Sequence, residues 1–148
     1  SVIRGDYDVG VIIHEGQLTW KDEGVNLGLD LGVWWNEETG LPLPLGGNVV
    51  RKDLGIEMCK KITEDVKNSI EHSLSNPKDA LKFAKEWGRG IDDETNEEFV
   101  GMYVNNRTLD YGDDGREAIR LFLRKGQEIG MVRSDLDVDS IVFVGSGE

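Results

Sequence analysis

At 148 residues the chain is long enough for one domain with a real core, and its 38% apolar and 31% charged composition lies well outside the low-hydrophobicity regime of disorder. A formal charge of -12, from 29 acidic against 17 basic residues, repels polyanions and argues against nucleic acid or anionic membrane surfaces as partners. No apolar run reaches the length of a bilayer, and Ser1 to Asp6 holds no signal-peptide core, so a cytoplasmic location is expected.

In chain order, Tyr7 to Ile13 is a short β-branched run that suits a strand buried on both faces of a mostly parallel sheet, and His14-Glu15-Gly16 ends it abruptly. A second strand is expected at Leu27 to Leu31, then a short helix from Gly32 to Thr39 that stops at Gly40. Leu41-Pro42-Leu43-Pro44-Leu45 cannot sit mid-sheet, because its prolines remove ladder donors; it is an extended connector or edge segment. Gly46-Gly47 lets the backbone turn or approach something closely, and a strand can resume at Asn48 to Val50. From Ile56 the pattern is helical. Ile62, Val66, Ile70 and Leu74 recur at spacing four, predicting one long helix ending near Asn76-Pro77, and Pro77 is placed to start the next. Asp92 or Asp93 is placed to cap a third helix through Tyr103, and a fourth is expected from Asp113 or Asp114 to near Gly130. The result is an α/β expectation with few strands ahead of several helices, and a layered arrangement needs more sheet than these strands supply.

Cys59 is the single cysteine, so no intrachain disulfide forms, and its apolar helical setting predicts burial rather than reactivity. Of the two histidines, His72 lies off the apolar stripe of the long helix and is expected on the surface. His14 follows the expected buried strand at its carboxyl end, where open α/β sheets place their ligand crevices. Partial desolvation there would favour the neutral, proton-accepting imidazole. The alternative is a strand-end histidine that only hydrogen-bonds a neighbouring carbonyl. Glu15 would orient the ring or point to solvent, since neighbours leaving a strand face opposite sides. Trp20, Trp34 and Trp35 would form core or wall an aromatic pocket. No Gly-rich phosphate loop, no Gly-x-Ser-x-Gly and no metal-spaced histidine pair is present, so phosphoryl transfer, serine hydrolysis and metal catalysis lose support.

Taken in order, Ile12-Ile13-His14-Glu15-Gly16, Asp30-Leu31-Gly32-x-Trp34-Trp35, Thr39-Gly40-Leu41-Pro42-Leu43-Pro44-Leu45-Gly46-Gly47 and Arg51-x-Asp53-Leu54-Gly55 resemble the second half of the 1,4-dihydroxy-6-naphthoate synthase family of the futalosine route to menaquinone. Tyr103-Val104-Asn105 and Leu109-Asp110-x-Gly112-x-x-Gly115 are similar to that family's closing helices. The resemblance implies a two-lobed fold like that of periplasmic binding proteins. Residues 1–40 would then end the second lobe, 41–50 would cross over, and 51–148 would form the helical part of the first lobe. It implies a lyase converting cyclic dehypoxanthine futalosine, its small-molecule substrate, to 1,4-dihydroxy-6-naphthoate, with His14 as general base and Glu15, Leu45 and Gly46 near the substrate, and with no cofactor or metal. Family members are close to twice this length, so the chain is expected to be inactive without an N-terminal half or second chain; a homodimer is left open. The alternatives are the chorismate dehydratase of the same pathway and a non-catalytic solute-binding module.

Overall fold

The computed structural model describes residues 1–13, 16–85 and 100–145. In chain order its helices are α1 (Gly16–Thr19), α2 (Leu31–Thr39), α3 (Ile56–Ser75), α4 (Pro77–Lys85), α5 (Asn106–Leu109) and α6 (Gly112–Glu128), with a 3₁₀ turn at Lys52–Leu54 before α3. Residues 100–103 are also helical. The spacing-four pattern places α3, Pro77 opens α4, and α6 ends just short of Gly130, whose positive φ of 74° turns the chain away from the helix axis. The part of the expected third helix from Asp92 to Phe99 lies outside the described residues.

The α/β, periplasmic-binding-protein-like expectation is corrected here: among the described residues there is helix and irregular backbone, and no strand or sheet. The apolar run that ends at Ile13 is irregular, with Val9, Val11 and Ile13 exposed at 82%, 72% and 77%. Leu27 and Leu29 are likewise exposed in irregular backbone, Leu31 instead opens α2, and Val49 is 97% exposed. The reason is physical. Alternating or β-branched composition states that a segment fits a pleated, covered surface, but a strand exists only through hydrogen bonds to a neighbour, and no described segment pairs with these. Two prolines bar the Leu41 to Leu45 stretch from supplying that ladder.

The chain divides into two compact units, Ser1–Asp30 with Ser73–Asn105 and Leu31–His72 with Asn106–Glu148, the division falling inside α3. In the first, the amino terminus folds back through Gly5 N–H to the Val2 carbonyl at 2.8 Å, and the terminal ammonium and Arg4 both pair with Asp6. In the second, Trp35, Cys59, Ala118 and Val138 are buried. Trp35 meets Phe122 edge to face, with ring centroids 5.6 Å apart, and its indole N–H donates to the Pro42 carbonyl at 3.1 Å. Cys59 is buried as expected, its thiol 3.5 Å from the Arg51 carbonyl, and Thr63 donates to the Cys59 carbonyl at 2.9 Å. After α6, the segment to residue 145 folds back on this unit. Gln127 donates to the Arg133 and Leu136 carbonyls at 3.0 and 2.9 Å, and Arg124 pairs with Asp139.

Candidate functional site

The residues expected to carry chemistry are His14, Glu15, Leu45 and Gly46. His14 and Glu15 lie outside the described residues. Directly after them, α1 is tied down by Gln17, whose side-chain amide donates to the Tyr103 hydroxyl at 2.7 Å across 86 positions of sequence. Tyr103 was part of a recognised motif, but nothing local in the sequence announced this pairing. Leu45 and Gly46 belong to the second unit, where Leu45 is exposed and Gly46 has no atom within 4 Å of the place its Cβ would take. Of these four, Leu45 and Gly46 are the two among the described residues, and they are neighbours in the chain.

The connector that carries Leu45 and Gly46 is held from below. Trp35 fixes the Pro42 carbonyl, Asn36 donates to the Leu41 carbonyl at 3.3 Å, and Thr39 accepts from the Leu41 N–H at 3.1 Å. These bonds make the end of α2 a platform for residues 41 and 42. Of the three tryptophans weighed as core or pocket wall, Trp35 is core, Trp34 is exposed, and Trp20 is half-buried with the Lys21 ammonium 5.4 Å from its ring centre. His72 is exposed, as expected for a residue off the helix stripe.

At the far end of the connector, a Cβ on Gly47 would stand 3.2 Å from the Tyr111 hydroxyl. Sequence reading missed Tyr111, and the surrounding motif explains how it is set. Asp110 accepts from the Gly112 N–H at 2.8 Å; Gly112 takes a φ of 68°, which disfavours any side chain; and Gly115 is buried where a Cβ would come within 3.0 Å of the Tyr111 Cβ. Arg107 donates to the Tyr111 carbonyl at 2.8 Å and forks onto both Asp114 oxygens at 2.6 Å. The Tyr111 ring meets Phe143 edge to face at 6.1 Å, and the Arg120 guanidinium lies 5.0 Å over the Phe143 ring.

The Arg107 hydrogen bonds hold the Asp114 carboxyl below the ordinary aspartate value of 3.8, with help from the Gly115 N–H. A carboxyl depressed in the folded state stabilises above its unfolded value and loses that contribution as pH falls through the folded one. Asp114→Asn is thus expected to lower the urea midpoint at pH 7 by a small amount, as exposed pairs do, and the gap to wild type should close as pH falls below the ordinary aspartate value of 3.8. A gap that widens in acid would contradict this assignment. Among the described residues no group of three or more His, Cys, Asp or Glu side chains could hold a metal ion, and no helix is long and apolar enough to cross a membrane.

A family model described as menaquinone biosynthesis matches residues 1–128. The chain belongs to that menaquinone biosynthesis family. It is 39% identical over 122 residues to a 1,4-dihydroxy-6-naphthoate synthase of Thermus thermophilus, covering 82% of this chain and 45% of that protein. It is 32% identical over 143 residues to the enzyme of the same name from Streptomyces coelicolor, covering 97% of this chain and 50% of the relative. The crystal structure of protein AF1704 from Archaeoglobus fulgidus superposes with a TM-score of 0.82 at 35% identity, over 88% of this chain and 50% of that one. The chain thus spans about half the length of the curated relatives it matches.

Proposed function

We propose that this chain is the histidine-bearing half of a 1,4-dihydroxy-6-naphthoate synthase, a lyase acting in the cytoplasm on cyclic dehypoxanthine futalosine. The observation that carries the reading is identity of 39% and 32% to proteins of that name across most of the chain. In it, His14 accepts the substrate proton, Glu15 stands beside it, and Leu45 and Gly46 contact the substrate. Imidazole suits the task because its neutral form is populated near neutral pH and accepts a proton without metal assistance. The complementary half of the family's length completes the site, whether joined in one polypeptide or supplied as a second chain.

The reading is tested by mixing the chain with the separately produced complementary half of a relative and following release of 1,4-dihydroxy-6-naphthoate. Product is expected from the mixture and from neither part alone. A folded two-part complex that releases none would overturn it.

A further inference from the structure

We infer that Tyr111 is a positioning residue for the Leu45–Gly46 substrate segment, acting through its hydroxyl against Gly47 and held in turn by Phe143. The inference rests on the lyase reading above and adds a residue to its site. Neighbouring glycines of the connector differ in what they face: the Cβ direction of Gly46 is open, while that of Gly47 ends 3.2 Å from the Tyr111 hydroxyl. The connector thus has room beside Gly46 for a ligand, while the matching space at Gly47 is closed by a phenol.

That phenol has little freedom to yield. Its carbonyl is held by Arg107, its Cβ fills the space a side chain at Gly115 would need, and its ring lies against Phe143. Phe143 comes from the segment after α6, beyond the residues matched by the family model, and sits beneath the Arg120 guanidinium. The chain past residue 128 therefore reaches the substrate segment through two rings. A support that sets where Gly46 presents its backbone acts on substrate binding rather than on proton transfer.

Two measurements test this. In ¹H–¹⁵N spectra of the full chain labelled at glycine, Tyr111→Phe removes the hydroxyl and keeps the ring; the amide signals of Gly46 and Gly47 should move, while the melting temperature stays within about 3 °C of wild type. Unmoved signals overturn the contact whatever the activity. In the assembled enzyme, Gly47→Ala should raise KM about tenfold with kcat within about twofold, and less than about threefold when placed on Tyr111→Phe, since close neighbours couple. Phe143→Leu should raise KM in the same direction. Equal effects of Gly47→Ala in both backgrounds, with a wild-type enzyme that turns over, overturn the positioning role. A wild-type assembly without turnover overturns the lyase reading, and with it the role assigned to Tyr111, whether or not the glycine signals move.

Discussion

Turnover by the assembled enzyme is expected to fall about 10²- to 10⁴-fold when His14 is replaced by Ala, the range that removal of a general base produces. The expectation starts from residue type. His14 and His72 are the two histidines of the chain, and His72 lies exposed on α3, in the second of the two units. His14 precedes α1, whose Gln17 is anchored to Tyr103, so the helix following the His-Glu-Gly motif is tied to a distant segment. His14→Gln separates chemistry from scaffolding. Glutamine keeps a donor and an acceptor for structural hydrogen bonds but cannot take up a proton at neutral pH. If the imidazole is the base, Gln should be as inactive as Ala while folding normally. If His14 only bonds a carbonyl, Gln should restore turnover to within about tenfold of wild type, and the base must then be sought elsewhere.

The helices were legible where the signal is local. Spacing four in Ile62, Val66, Ile70 and Leu74 predicted α3, and Pro77 marked the start of α4 because its missing N–H and fixed φ suit a first helical turn. The same stripe shows where local signals stop. Val66 and Leu74 remain 40% and 39% exposed, because amphipathicity names the face that seeks cover and not the segment that covers it. The strands failed for a related reason. Val9 to Ile13 has strand composition, yet pairing is a property of two segments, and the described chain offers no second one.

At the site, the sequence pointed to the connector but not to its support. Leu41 to Gly47 stood out through its prolines and glycines, local features with local reasons. Tyr111 did not, since its meeting with Gly47 joins positions far apart in the chain. The Leu109 to Gly115 motif was recognisable only as a family pattern. Its geometry now gives each residue a cause: Asp110 accepts from Gly112, Gly112 takes a left-handed φ, and Gly115 leaves room for Tyr111.

Trp35→Ala is expected to destabilise the chain by about 3 to 5 kcal/mol, the range for deleting a large buried aromatic side chain. Trp35 is 4% exposed, the largest of the buried core side chains among the described residues, so its removal leaves a void between α2 and α6 where Phe122 now meets the ring. With a denaturant slope of about 2 kcal/mol/M, the urea midpoint should drop by about 2 M. Far-UV circular dichroism is the suitable signal, because the chain's four tryptophans would mix in fluorescence. Trp35→Phe divides the effect into parts. It keeps an aromatic ring against Phe122 but loses the indole N–H that donates to the Pro42 carbonyl. Pro42 is half-buried, so water can replace that donor, and the hydrogen-bond share should be about 1 kcal/mol. A Phe variant far more stable than the Ala variant makes ring burial the anchor of the connector. If Phe and Ala are equally destabilising, the bond to Pro42 holds the connector, and the Leu41 to Gly47 segment should then loosen in both. A loss below about 1 kcal/mol for Ala would show that Trp35 is not the core of this unit.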